Sequence, residues 1–200
     1  MTRFFLLKFQ APPKVPEVDL VFAISATSSS AAEVFKKTKE AISYIINTYG
    51  TNSIHFAVIF FGSDVAPIID FQSYATSQQL KNLLENQTRL LGGPALDEAL
   101  KKAKEVFESP GARRDARKVL VVITDQDSAS SFPGAVKPEL DALEDMEVGL
   151  IAVGIGDEVD EKELLEMTPN ISDVIRILEV DDPEELGKDI VLKVLKGKLL

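Results

Sequence analysis

Short apolar runs alternate with longer segments of helical period along most of this chain, and that alternation limits the folds open to it more than any single motif. Val18–Ile24 is almost continuously apolar, broken only by Asp19, as suits a strand buried on both faces. Ser30-Ala-Ala-Glu33 then has the spacing of a capping box. Behind it Val34, Phe35, Ala41, Ile42, Ile45, Ile46 and Tyr49 recur at helical spacing until Gly50. Ile54–Phe61, a turn at Gly62-Ser63-Asp64, and Val65–Phe71 read as a hairpin, which puts one antiparallel strand at a sheet edge. Helices are predicted over Ser77–Glu85, Leu96–Phe107 and Pro138–Met146, and strands over Val119–Ile123, Val148–Val153 and Val174–Leu178. Asp160-Glu-Lys-Glu163 opens a short helix with a box-like cap. Asp182-Pro183-Glu184-Glu185 supplies an N-cap, a proline at the first helical position and acids for a terminal helix. Together these predict a doubly wound α/β domain, with a mostly parallel central sheet, one antiparallel edge strand and helices on both faces.

Two hundred residues, 45% of them hydrophobic, suffice for one such domain. Residues 1–16, with the stretch Ala11-Pro-Pro-Lys-Val-Pro16, read as a lead or linker and residues 17–200 as the domain. The apolar run Phe4–Leu7 is interrupted by Lys8, too short for a signal-peptide core or a membrane span, so an export signal would lie outside this sequence. Two Asn-x-Ser/Thr triplets, Asn86-Gln87-Thr88 and Asn170-Ile171-Ser172, lean towards secretion. The absence of cysteine does not decide the compartment, because a domain of this size holds together without disulfides.

Charge and composition exclude several functions. Thirty-two acidic against 22 basic residues give a net charge of −10, which repels phosphate backbones and anionic headgroups and argues against nucleic acid or membrane insertion. With no cysteine and one histidine, thiolate metal sites, iron–sulfur clusters, cysteine nucleophiles and multi-histidine metal centres are all excluded.

Ligands of doubly wound sheets bind outside the carboxyl ends of the strands, which directs attention to three loops. Ser25-Ala-Thr-Ser-Ser-Ser30 offers five hydroxyls between a strand and a helix N-terminus, suited to a hard cation or an anion. Leu91-Gly-Gly-Pro-Ala-Leu96 has backbone freedom but no side-chain oxygen before Asp97. Thr124-Asp125-Gln126-Asp127-Ser128 brings two carboxylates to the exit of the strand at Val119–Ile123.

On these residues the chain resembles a von Willebrand factor type A domain, the integrin I-domain type. Val18-Asp19-Leu20-Val21-Phe22-Ala23-Ile24 is similar to the family's first strand, and Gly111 through Asp125 to the approach to its central acid. Val148 through Gly156, with Glu163-Leu164-Leu165, is similar to its next strand and helix. The resemblance covers roughly residues 17 to 197 and implies a metal-ion-dependent adhesion site. There an Asp-x-Ser-x-Ser loop, a threonine and an aspartate hold a divalent cation, usually magnesium, that a partner's carboxylate completes. Carried over, the first aspartate falls on Ser25, the two serines on Thr27 and Ser29, the threonine on Pro94 and the last aspartate on Asp125. Gln126 stands where the family usually has glycine. Two of the five positions thus lose their ligand chemistry, and Asp125 remains the one matched carboxylate. If each loss costs the roughly 10–100-fold typical even of outer-shell partners, a site of about 10⁻⁴–10⁻³ M falls beyond millimolar. The expectation is no cofactor, with magnesium at most weakly held by Thr27, Ser29 and Asp125.

Other features have plainer explanations. Thr27, Ser28 and Ser29 suit helix capping and turns. Asp125 and Asp127 have no nucleophile converging on them, so no catalytic residue is assigned and the chain is not expected to be an enzyme. His55 falls on the strand face opposite Ile54, Phe56, Val58 and Phe60, as a structural histidine. Gly154-Ile-Gly156 lacks the third glycine of a dinucleotide loop and the lysine of a phosphate loop, and reads as a strand-to-helix turn. Arg113, Arg114, Arg117 and Lys118 form a basic cluster that solvates its loop or meets an acidic partner.

The leading functional expectation, implied by the resemblance, is a non-enzymatic interaction module of an extracellular matrix or adhesion protein with its metal site lost or strongly weakened. Its partner would be a matrix protein, collagen included, met on a face containing Ser25, Ser28, Gly93, Pro94, Gln126 and Asp127. One alternative keeps a working cation site of Thr27, Ser29, Asp125 and Asp127. Another is an intracellular scaffold of the same fold. A nucleotide-dependent enzyme rests on fold analogy alone.

Overall fold

Six strands hydrogen-bond into one sheet of order β3-β2-β1-β4-β5-β6, parallel throughout except for β3. The computed structural model describes residues 17–27, 31–63, 65–93, 95–125, 136–168 and 170–196. The strands are β1 (Val18–Ser25), β2 (Ile54–Phe61), β3 (Val65–Ile69), β4 (Arg117–Thr124), β5 (Gly149–Ile155) and β6 (Val174–Ile177). The helices are α1 (Ala32–Tyr49), α2 (Ser77–Glu85), α3 (Leu96–Glu108), α4 (Val136–Asp145), α5 (Glu161–Met167) and α6 (Pro183–Lys196). Among the described residues no helix is long and apolar enough to cross a membrane.

Alternation along the central strands divides the core in two. Leu20, Phe22 and Ile24 of β1 join Phe56, Val58 and Phe60 of β2 beneath Ile42, Ile45 and Ile46 of α1 and Ile190 of α6. Val21 and Ala23, facing the other way, meet Leu100 and Phe107 of α3, Leu143 of α4 and Leu164 of α5. Both faces of β1 and β4 are therefore covered, which explains why these strands read as unbroken apolar runs. Pro67 sits in β3, an edge strand, where a missing ladder donor is tolerated.

Several local expectations are corrected. Helix α1 starts at Ala32 with Ala31, one residue later than the expected cap, at its N-cap, and Ser30 of the expected Ser30–Glu33 box lies outside the described residues. Asp160 caps α5 through the Lys162 amide rather than that of Glu163. Strand β3 stops at Ile69 because the Asp70 carboxylate accepts from the Gln72 amide and the Ser73 hydroxyl, turning the chain out of the sheet. Asp182 caps α6 as expected, accepting from the Glu184 amide at 2.8 Å.

Two members of the basic cluster, Arg113 and Arg117, turn to acceptors of the fold, while Arg114 is exposed. Arg113 turns inward to Asp19, which is completely buried on β1, donating from its backbone N–H to Oδ2 at 2.6 Å and from Nε to Oδ1 at 2.7 Å. The same guanidinium donates to the carbonyls of Val18 (2.7 Å) and Ser53 (3.2 Å). Arg117 likewise donates to the Val194 carbonyl of α6. His55 lies on the predicted face with Nδ1 4.0 Å from Asp19 Oδ1, and Tyr74 Oη both accepts from the Phe56 amide and donates to its carbonyl.

Candidate functional site

Strand order fixes where a site can form. The connection after β1 leads through α1 to β2 on one side, whereas β4 lies on the other side of β1, so the reversal of strand order falls between β1 and β4. The chain ends leaving these two strands splay apart at their carboxyl ends and leave a crevice. Ile24 pairs with Ile123, so Ser25-Ala26-Thr27 and Thr124-Asp125 leave the sheet side by side at that crevice.

The third loop is tied to the same place by its backbone. Leu90 N–H donates to the Ala26 carbonyl at 2.5 Å, Ala95 N–H to the Gly62 carbonyl at 2.6 Å, and Ser63 donates from both N–H (3.1 Å) and Oγ (2.8 Å) to the Leu91 carbonyl. Gly92 is required at this clamp: its φ is +80°, and a Cβ there would stand 2.4 Å from Ser63 Cβ. The clamp holds Gly93 exposed and leaves the Leu91 side chain 81% exposed, a feature of this face that reading the loop for oxygen ligands missed. Its signal was present as an apolar residue directly ahead of paired glycines.

Three sequence-predicted site residues, Ser25, Thr27 and Asp125, are thus brought to one crevice, with Gly93 on the adjoining clamp. Ser28, Ser29, Pro94, Gln126 and Asp127 lie outside the described residues. Thr27 is fully buried, and Asp125 is half-buried beside the turn at Gly156 that follows β5. Ser25 is 5% exposed, and its Oγ finds no hydrogen-bond partner among the described residues. An unmet buried hydroxyl costs about 1–3 kcal/mol, and the Ser25 Oγ shares this state with His55 Nδ1 and one carboxylate oxygen of Glu163 among the described residues.

These donors test the fit of a divalent cation. Hard dications take about six oxygens, magnesium commonly through one or two carboxylates and waters. The described part of the crevice carries three hydroxyls, of Ser25, Thr27 and Thr124, and one carboxylate, of Asp125, and the β1 position that the family resemblance assigns to a second carboxylate holds Ser25. Among the described residues no three acid or histidine side chains gather in a metal-binding group.

Other concavities lie away from the crevice. A groove of about 570 Å³ runs between α4, the start of β5 and the end of α5, with Leu140, Leu150 and Met167 inside and Asp141, Glu144 and Glu166 at its rim. A second, of about 470 Å³, lies between the turn after β3 and α2, beside Tyr74 and Leu83.

Comparison with known proteins places this architecture. The chain is 29% identical over 170 residues to the human collagen alpha-5(VI) chain, which covers 82% of this chain and 6% of that one. It is 28% identical over 148 residues to human matrilin-1, covering 72% of this chain and 29% of the relative. The chain thus spans a small part of the curated relatives it matches. Its fold superposes with a TM-score of 0.77, at 23% identity, on proximal thread matrix protein 1 from the mussel byssus, solved with a zinc-occupied MIDAS motif, covering 90% of this chain and 46% of that one. The family model described as the von Willebrand factor type A domain matches residues 19–191, and the chain belongs to that family.

Proposed function

We propose that this chain is a non-enzymatic protein-interaction module of an extracellular matrix or adhesion protein, whose divalent-cation site is lost or strongly weakened. The observation that carries the metal part is Ser25, a neutral, buried hydroxyl, without a hydrogen-bond partner among the described residues, where the family's first carboxylate belongs. Pro94, with no side-chain oxygen, supports it from the second loop. Similarity to collagen VI chains and matrilin-1 supports the matrix assignment.

Binding then uses side-chain complementarity on the face around the crevice. Ser25, Ser28, Gly93, Pro94, Gln126 and Asp127 mark that face, and the exposed Leu91 supplies an apolar anchor. The partner class is a matrix protein, collagen included. Calorimetric titration with magnesium, manganese and calcium tests the metal part. Heats indistinguishable from dilution are expected, and a one-site curve of sub-millimolar affinity overturns it. Retention on immobilised collagen and other matrix proteins, unchanged by chelator, tests the partner part.

One observation favours a second reading. The unmet Ser25 Oγ, buried Thr27 and Asp125 stand together at the crevice, and with Ser29 and Asp127 they would supply a cation with oxygens. Under that reading chelator abolishes partner retention and Asp125→Ala has the same effect.

A further inference from the structure

Of the motifs singled out in the sequence, the two Asn-x-Ser/Thr triplets have no part in the face described above, and the fold presents both in a form that an external enzyme can reach. Asn86 follows the last residue of α2, and Asn170 precedes a 3₁₀ turn at Ile171–Asp173 that leads into β6. The two asparagines and the two hydroxyl residues, Thr88 and Ser172, are all exposed. The side chain of Asn86 makes no hydrogen bond to a described residue. That of Asn170 accepts at Oδ1 from the Ser172 amide at 3.0 Å, and at neither position does Nδ2 donate to a described residue.

From this we infer that Asn86 and Asn170 are N-glycosylation sites. The inference rests on the extracellular reading above, since the transfer takes place in the secretory pathway. The donor is a lipid-pyrophosphate-linked oligosaccharide. A bond forms between Asn Nδ2 and the first sugar's anomeric carbon, the bond from that carbon to the donor phosphate oxygen breaks, Nδ2 gives up one proton, and the lipid pyrophosphate leaves. Triplets of this kind are acceptors when they lie in accessible surface segments.

Placement gives the modification a structural consequence. Asn170 lines the groove of about 570 Å³ between α4, β5 and α5. Asn86 lines the groove of about 470 Å³ beside Tyr74 and α2. Glycans at these positions cover the two grooves. The one at Asn170 stands apart from the three loops at the crevice, whereas the one at Asn86 stands four residues before Leu90, whose N–H donates to the Ala26 carbonyl.

The test is to secrete the full chain from a eukaryotic host behind an appended leader and to measure its intact mass before and after treatment with a peptide N-glycosidase. Two glycans are expected, each released enzymatically to leave Asp at its acceptor. Asn86→Gln and Thr88→Ala each remove the first, and Asn170→Gln and Ser172→Ala each remove the second. Secreted chain carrying only the mass of its polypeptide overturns the proposal, and a mass step unaffected by the variants of one triplet overturns it for that triplet. Because the leader forces export, this result is independent of where the native protein resides. Immunolocalisation of the endogenous protein tests the extracellular reading separately.

Discussion

Asp19 and Ser25 sit on the same face of β1, six residues and about 20 Å apart. Both are buried, with Asp19 inaccessible and Ser25 5% exposed. At the amino end the carboxylate is matched by the Arg113 guanidinium, whose remaining donors reach the Val18 and Ser53 carbonyls. At the carboxyl end a neutral hydroxyl has no hydrogen-bond partner among the described residues. A buried carboxylate survives only where a cation and hydrogen bonds meet it. This protein supplies such a cation from its own chain at one end of the strand, and at the other end buries a neutral serine.

The largest expected effect strikes the paired end. Arg113→Met leaves Asp19 buried without its cation and should cost about 3–5 kcal/mol, read by urea unfolding. Adding Asp19→Leu should recover most of that loss, since an apolar pair of similar volume replaces a buried ion pair at little cost. An Arg113→Met loss below about 1 kcal/mol would show that the pair behaves like an exposed one and would remove the contrast between the two ends.

Next in size is the reverse experiment at the unpaired end. Ser25→Asp places a carboxylate in a buried position and should lose at least about 1–3 kcal/mol without metal. Combined with Pro94→Thr it restores both altered ligand positions. Thermal unfolding should then become magnesium-dependent, with a gain of about 2.7 kcal/mol once magnesium reaches a hundredfold over Kd. No magnesium response in the double variant would mean that more than these two positions separates the chain from a working site.

Tyr74→Phe sharpens the comparison on a smaller scale. Its hydroxyl both accepts from and donates to Phe56 near the amino end of β2, at 2.8 and 2.9 Å. Losing it should cost about 0.5–1.5 kcal/mol per hydrogen bond. Ser25→Ala, by contrast, removes a hydroxyl that bonds to no described residue and should be neutral or stabilising by up to about 1 kcal/mol.

The smallest effect is a pH dependence. Burial, followed by the Arg113 charge, holds His55 below its usual pKa of 6.5, with Asp19 and Glu17 opposing. The unfolded chain therefore binds this proton first as pH falls. The contribution to stability is full above pH 6.5 and is lost as pH falls through the folded-state value. His55→Gln should flatten the slope of stability against pH in that window, measured by unfolding at a series of pH values.

Much of the architecture was legible because burial on both faces writes a nearly continuous apolar run into β1 and β4, and burial on one face writes a helical stripe into α1 and α3. Helix α2, Ser77–Glu85, falls where its spacing placed it, with Thr76 accepting from the Gln79 amide. The ends of elements were less legible. Ser30 and Glu33 have the right spacing for a box, yet α1 takes Ala31 as its N-cap, because a cap depends on backbone geometry that spacing alone does not fix. Arg113 read as part of a solvated cluster because its partner is 94 residues away in the chain, beyond any local pattern.

The sequence by itself determined the doubly wound layering, the chemistry that one histidine and no cysteine exclude, and the identity of the residues at the first and second loops of the site. Those follow from periodicity and side-chain type, which are local properties. Only the tertiary structure decided that the Ser25 hydroxyl is buried and unmet, that Asp19 is neutralised by Arg113, and that Leu91 projects from a clamp between two loops. Each of these depends on which distant segments the sheet brings together, and desolvation and pairing energies act between neighbours in space rather than in sequence.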